Sequence, residues 1–388
     1  MHRVVVVGAS LAAVHAVETL RANGFDGELT MVGAEPHLPY DRPPLSKEAL
    51  RYGPDKESIL LREPSWYEAM AVRLLLGRPA GELDPGEKTV TLTDGTTLPY
   101  DGLVIATGSY ARPVGHGTAP IHGLRTVDDA VRLREALDGA SRLAILGAGF
   151  IGLEVAATAR EMGLEVTVVE VAPVPLSRVL GDEVGQWFLD YHTRHGVDVR
   201  CGQPLSSVES DANGVRLRFA DSSEVRAEVL LAGIGAAPAT EWLRGSGLAV
   251  SDGIVCDPTL RTSAPGVVAA GDVARWYNPL FDQEMRVEQW MNAVEQGRHA
   301  ALSLLGATDA YAPVPYLWSD QFDAKMRFVG TAQAAHQVHV EQRGPDSMVA
   351  LFGRGGVLVG ALCVNATREL PIHRKAIAER AAWDDVVG

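Results

Sequence analysis

Gly147, Gly149 and Gly152 stand directly behind the apolar run 143–146, in the spacing G-x-G-x-x-G. Such a run turns tightly at the first glycine, brings backbone close to a phosphate at the second, and packs helix on strand at the third. Phe150 and Ile151 lead into a helical stretch expected over 153–162, whose N-terminus would face the anion. A second apolar strand, 165–169, ends at Glu170, eighteen residues after Gly152. An acid there can accept hydrogen bonds from a ribose 2′-hydroxyl. Strand, spacing, helix and acid agree on a βαβ unit that cradles a dinucleotide. Glu170 would repel a 2′-phosphate, and 171–176 holds no arginine to bind one, so the expected nucleotide is NADH rather than NADPH.

The same grammar occurs at the start of the chain. A strand over 3–7 runs into Gly8, with Ser10 and Ala13 at the second and third glycine positions, and Glu35 follows twenty-two residues after Ala13. Small residues preserve the close approach, and Glu35 is placed for an adenosine ribose. Two cradles mean two dinucleotides, and hydride exchange between a nicotinamide and a flavin is the economical account.

Other residues suit the rims of such cradles. In the run Leu38 to Lys47, paired prolines stiffen a turn, Arg42 can grip a phosphate, and Ser46 can cap the following helix. That run reads either as a cofactor clamp or as a rigid loop with solvated charges. The apolar strand after Tyr100 ends in Ala106, Thr107 and Gly108, and the one after Val229 ends at Gly233 and Gly235, small residues over which a ligand could lie. Asp272, after Gly271, is placed to accept from sugar-alcohol hydroxyls such as a ribitol, or else to cap the next turn. A helix expected over 286–298 carries Trp290 and Ala293, and its N-terminus would favour negative charge on a reduced ring.

The elements that must position these residues fit an α/β chain of 388 residues, long enough for two or three domains. The expected division is a discontinuous flavin domain, 1–110 and 235–312, an inserted nicotinamide domain, 111–234, and a C-terminal domain, 313–388. The Asp94-Gly95 pair marks a hairpin over 88–98, and a Pro/Gly-rich crossing spans 112–123. A net charge of −14 argues against nucleic acid as partner. From residue 313 onward, eight basic residues balance eight acids, so the whole excess lies in the body, and the neutral end could receive an acidic protein. No apolar run reaches membrane length, and residues 1–8 lack the basic region, apolar run and cleavage site of a signal peptide, so none is expected. Cys201, Cys256 and Cys363 form no C-x-x-C pair, which fits unpaired thiols in a reducing cytoplasm.

These motifs together resemble the FAD-dependent NADH:ferredoxin reductases of the putidaredoxin reductase and dioxygenase reductase type, over nearly the whole chain. The R-P-P-L-S-K run at 42–47 and the W-S-D-Q run at 318–321 carry the resemblance most specifically. It implies a glutathione-reductase-like architecture, two Rossmann-like domains plus a small α+β interface domain. It also implies that Arg42 and Lys47 contact FAD, with Lys47 near flavin N5 and Glu154 close to Lys47. Glu35 would bind the adenosine ribose, Asp272 the ribitol, and Gly235 would line the nicotinamide end. Trp318 would lie beside the isoalloxazine, with Trp290 nearby. Electrons would pass from NADH through the flavin, singly, to an iron–sulfur ferredoxin that feeds an oxygenase. The Lys47–Glu154 pair reads alternatively as a structural salt bridge. Ala34 replaces a common Asp, and Ala239-Thr240 the usual Asn after Pro238. Rubredoxin or another acceptor, and a non-enzymatic NAD(H)-sensing flavoprotein, are competing readings. A cysteine-dependent peroxidase, oxidase or disulfide reductase is disfavoured, because the loop after the first βαβ unit, Tyr40-Asp41-Arg42, holds no cysteine. Monomer and homodimer are equally open.

Overall fold

The computed structural model describes residues 1–114, 121–211 and 214–388. Half of the 112–123 crossing, residues 115–120, lies outside the described residues. The chain divides into two compact units: Met1–Asp41 with Lys56–Tyr110 and Ala237–Pro315, and Arg42–Asp55 with Ala111–Ala236 and Tyr316–Gly388. The three-domain division remains a proposal, which limited proteolysis would test.

The first unit is built on a parallel five-stranded sheet in the order Val267–Ala269, Gly102–Ile105, Arg3–Val7, Glu28–Val32, Val72–Leu75. Val4 to Val7 and Leu103 to Ile105 are continuous buried runs, as expected of strands covered on both faces. The helices Leu11–Ala22 and Trp290–Leu304 pack closely together, because Gly297 has no side chain: a Cβ there would lie 2.3 Å from the carbonyl oxygen of Ala12. The hairpin at Asp94-Gly95 forms, joining Thr89–Leu92 to Thr97–Pro99.

The second unit repeats the plan with a parallel sheet in the order Asp198–Arg200, Glu165–Val169, Arg142–Leu146, Val229–Ala232, Ile121–His122. A three-stranded antiparallel sheet, Leu205–Asp211, Gly214–Phe219 and Glu224–Ala227, lies between its strands in sequence. Toward the C-terminus a five-stranded antiparallel sheet runs in the order Tyr316–Gln321, Ala324–Gly330, Val357–Val364, Ser347–Arg354, Gln337–Gly344. Helices Leu370–Ala378 and Trp383–Val387 follow it. The α/β architecture with two dinucleotide-type sheets and a small α+β C-terminal part is therefore the one the sequence implied.

Two local expectations are corrected. Residue 286 ends the strand Gln283–Arg286, and the helix starts only at Trp290, because Arg275 to Asn278 pair with 283–286 as a ribbon. The helix after Gly149 starts at Phe150 rather than 153, so Gly152 lies inside its first turn.

Candidate active site

In the second unit, the strand Arg142–Leu146 delivers the chain to Gly147, whose φ of +98° suits glycine. A Cβ on Gly147 would fall 2.4 Å from the Gly233 carbonyl oxygen, and one on Gly152 would fall 2.2 Å from that of Gly147. Those two glycines are required by packing. Gly149 is different: the nearest atom to a Cβ there is 4.0 Å away, and its φ is −80°. Among the described residues nothing demands glycine at 149, and the open space above it suits an approaching pyrophosphate. Gly149 caps the helix Phe150–Glu161 with no side-chain hydrogen bond, which leaves first-turn N–H groups for an anion. Ile151 is exposed at that turn, beside half-buried Phe150.

Glu170 is held by the loop it serves. Its Oε2 accepts from the Ala148 N–H and its Oε1 from the Ala172 N–H, both at 2.8 Å. Each oxygen keeps a lone pair for a ribose hydroxyl. Gly233 and Gly235 follow the buried strand Val229–Ala232, with Gly235 at φ +101°.

The first unit holds the matching cradle. Gly8 has φ +115°, and a Cβ there would lie 2.0 Å from the Ala106 carbonyl oxygen. Ser10 caps the helix Leu11–Ala22 without a side-chain cap bond, and Ala13 is fully buried. Tyr40 donates to Glu35 Oε2 at 2.5 Å. At the strand end, Thr107 Oγ1 donates to the Ala239 carbonyl and Gly108 has φ +68°. Asp272 Oδ2 accepts from Ser109 at 2.9 Å. The Gly271 N–H donates to Gln296 Oε1 at 2.8 Å, and Ala293 Cβ lies 3.8 Å from where a Gly271 Cβ would stand. Gln296 is fully buried, yet among the described residues its Nε2 has no hydrogen-bond partner. An orphaned amide donor beside the Gly271-Asp272 turn fits a missing acceptor there. Trp290, also in this unit, donates to Asp41 Oδ1 at 2.7 Å. Both cradles therefore fit dinucleotides.

The second unit also assembles a charged centre on the helix Phe150–Glu161. Glu154 lies five residues beyond Gly149, about 7 Å along the axis. It is 8% exposed and accepts three hydrogen bonds, from Lys47 Nζ at 2.6 Å, Ser46 Oγ at 2.5 Å and Ser319 Oγ at 2.6 Å. A buried carboxylate needs such donors, and the ammonium supplies the opposing charge. Thr158, one turn on, donates to the Ser46 carbonyl at 2.8 Å and fixes the 43–46 turn against the helix. Ser46 is thus not a helix cap, as its position had suggested. The N-cap of the next helix, Glu48–Tyr52, is Lys47, which has no side-chain acceptor for a cap bond, and the Ser46 hydroxyl donates to Glu154. Arg42 Nη1 donates to the Arg125 carbonyl at 2.6 Å. Trp318 stacks on Tyr316, ring centroids 5.9 Å apart.

Sequence reasoning missed Ser109, Gln296 and the roles of Ser46 and Ser319. None of these carried a local signal that set it apart in the sequence.

The cysteines take no part in such a centre. All three are free, and burial pushes the Cys201 thiol up to about 11 and those of Cys256 and Cys363 up to about 12. At neutral pH they are thiols, not nucleophilic thiolates.

Two cradles, each with strand, small-residue turn, helix and terminal acid, define an oxidoreductase class that handles two dinucleotides. The family described as pyridine nucleotide-disulphide oxidoreductase matches residues 2–297, and the reductase C-terminal family matches 316–387. The chain belongs to that oxidoreductase family, among its ferredoxin reductases of the putidaredoxin reductase and dioxygenase reductase type. It is 40% identical to the ferredoxin–NAD(+) reductase component of the anthranilate 1,2-dioxygenase system of Burkholderia cepacia, over 98% of this chain and 95% of that one. To rhodocoxin reductase of Rhodococcus erythropolis it is 38% identical, over 97% and 89%. The putidaredoxin reductase of a covalent putidaredoxin reductase–putidaredoxin complex superposes with a TM-score of 0.92 at 33% identity, covering 98% and 93%.

Proposed function

We propose that this protein is an FAD-containing reductase that takes electrons from NADH and passes them one at a time to an iron–sulfur ferredoxin serving an oxygenase. The observation that carries this is the helix Phe150–Glu161. Its uncapped N-terminus closes one nucleotide loop, and one turn and a half later it holds Glu154 and, through it, the Lys47 ammonium. A nucleotide cradle and a fixed positive charge on one rigid helix suit delivery of a nicotinamide to a charge-stabilised acceptor.

Gly8, Ser10, Ala13, Glu35, Ala106 to Gly108 and Gly271-Asp272 are the residues we assign to FAD, with Arg42, Lys47, Trp290, Ala293 and Trp318 at its ring and phosphates. When bound, the flavin supplies the conversion of a two-electron hydride donor into single-electron transfers. The chain's own residues orient and stabilise. Gly147 to Gly152 bind the substrate pyrophosphate, Glu170 takes the adenosine ribose and disfavours a 2′-phosphate, and Gly233 with Gly235 leaves backbone at the nicotinamide end. Lys47, fixed by Glu154, would supply positive charge that favours a reduced, anionic flavin.

The similarity to reductases named for ferredoxin and putidaredoxin supports an iron–sulfur partner, and the balanced charge of the C-terminal part admits an acidic one. Among the described residues no helix is long and apolar enough to cross a membrane. A reducing cytoplasm is the compartment we propose, on the strength of three free thiols. The test is NADH-driven cytochrome c reduction by the FAD-loaded protein, with and without ferredoxins from the same source. Turnover that rises with one of these ferredoxins supports the proposal; turnover indifferent to all of them refutes it.

A further inference from the structure

From the second oxygen of Glu154 a buried chain of hydrogen bonds continues through the second unit. Ser319 Oγ donates to Glu154 Oε1 at 2.6 Å, Gln321 Nε2 donates to Ser319 Oγ at 3.0 Å, and His192 Nε2 lies 2.8 Å from Gln321 Oε1. Ser319 and Gln321 share one face of the strand Tyr316–Gln321 by the two-residue period, and His192 belongs to the helix Asp182–Arg194. Ser319 and His192 are 0% exposed and Gln321 1%.

The polarity of this chain is determined at each link. Gln321 Oε1 can only accept, so the His192 ring carries its proton on Nε2, and burial, which holds this histidine down to about 4, keeps the ring neutral. A serine oxygen that receives the Gln321 N–H turns its own proton to the nearest acceptor, which is Glu154. Every proton in the series points toward the carboxylate, and aligned bonds reinforce one another. The arrangement also carries a cost. His192 Nδ1 is buried with no partner among the described residues, a penalty an apolar side chain would remove. Polar groups kept at such a cost, and ending on the residue that holds Lys47, argue for a role beyond filling space.

We infer that Gln321 and His192 are positioning residues for the Lys47–Glu154 centre, acting through Ser319 to fix Glu154 Oε1 so that Oε2 stays on the Lys47 ammonium. The inference rests on the reading that Lys47 serves the flavin. Loss of the link leaves the Ser319 hydroxyl free to rotate and lets the carboxylate turn away from Lys47, without altering either nucleotide loop.

The experiment is a double-mutant cycle on the FAD-loaded protein with Gln321→Met and Glu154→Gln. Its readouts are the flavin midpoint potential, the anaerobic single-turnover rate of flavin reduction by NADH, and the Kd for NAD+. Gln321→Met is expected to slow reduction about tenfold and shift the potential with Kd unchanged, an effect of the size of one hydrogen bond. In the Glu154→Gln background the same substitution is expected to change neither rate nor potential. His192→Phe should act in the same direction by about threefold, and carries the same cycle if Gln321→Met does not fold. Full additivity of the two substitutions, or an unchanged rate and potential in Gln321→Met, overturns the inference. If Glu154→Gln alone leaves both unchanged, the assignment of Lys47 and Glu154 to the flavin falls, and the inference with it.

Discussion

Replacing Gly149 by alanine tests the proposal that this glycine serves a ligand, whereas Gly147 and Gly152 serve packing. A Cβ at 149 meets nothing nearer than 4.0 Å, and φ of −80° is ordinary for alanine. The chain-entropy gain of about 0.4–1 kcal/mol is offset by alanine's poorer capping, so folding stability should change by less than about 1 kcal/mol. The same substitution at Gly152 drives a methyl to 2.2 Å from the Gly147 carbonyl oxygen, and at Gly147 adds left-handed strain to a 2.4 Å clash. Each should cost about 3 kcal/mol or more. For the nucleotide the order reverses. The methyl at 149 holds the pyrophosphate away from the helix N–H groups, and losing one charge-assisted hydrogen bond of about 1.5–3 kcal/mol raises Kd about 10- to 100-fold. Thermal unfolding and calorimetric titration with NAD+ read the two effects separately. A folded Gly149→Ala protein with unchanged NAD+ affinity would refute the assignment of this loop, and so would a variant that fails to fold.

Glu170→Gln removes the charge facing a 2′-phosphate while keeping one acceptor for the Ala148–Ala172 loop. The ratio of kcat/KM for NADH over NADPH is expected to fall at least about tenfold, since charges about 5 Å apart at an effective dielectric near 20 repel by about 3 kcal/mol. A ratio unchanged in steady-state assays would remove Glu170 from nucleotide choice. Burial lowers His192 from 6.5 to about 4, so between those values the unfolded chain binds a proton that the folded one refuses. Stability is therefore lost as pH falls from 6.5 toward 4, by roughly 3 kcal/mol from this residue, and thermal midpoints of His192→Phe should fall less over that range. Equal slopes for the two proteins would contradict it. Alkylation of the native protein near neutral pH should leave Cys256 and Cys363 unlabelled and NADH-dependent turnover intact, because burial raises both thiols to about 12. Inactivation that tracks labelling of either would reopen thiol chemistry.

The two cradles were legible because their determinants are local. A strand, small residues at fixed offsets, a helix and an acid lie within about thirty residues of one another, and each speaks through its own backbone requirement. Glu170 and Gly149 needed no knowledge of the rest of the chain. The charged centre is different. Ser46 and Glu154 are 108 residues apart, and Ser319 is 165 from Glu154, so no spacing rule connects them. Lys47 and Glu154 were paired only by resemblance to known reductases, and Ser46 was misread because a serine before a short helix usually caps it. The bond of Ser109 to Asp272, across 163 residues, is equally a product of the fold. Helix limits failed for a similar reason: the Arg275 strand recruits 283–286 into a ribbon that the polar pattern alone did not reveal.

The central claim is that electrons from NADH pass through a flavin held by this chain to a one-electron iron–sulfur carrier. Its most direct test is an anaerobic titration of the purified FAD-loaded protein, first with NADH and then with oxidised ferredoxin, followed by visible absorbance. The account predicts that one equivalent of NADH bleaches the flavin band and that about two equivalents of a one-electron ferredoxin restore it. A flavin that NADH leaves oxidised, or a reduced flavin that no ferredoxin reoxidises, would contradict it.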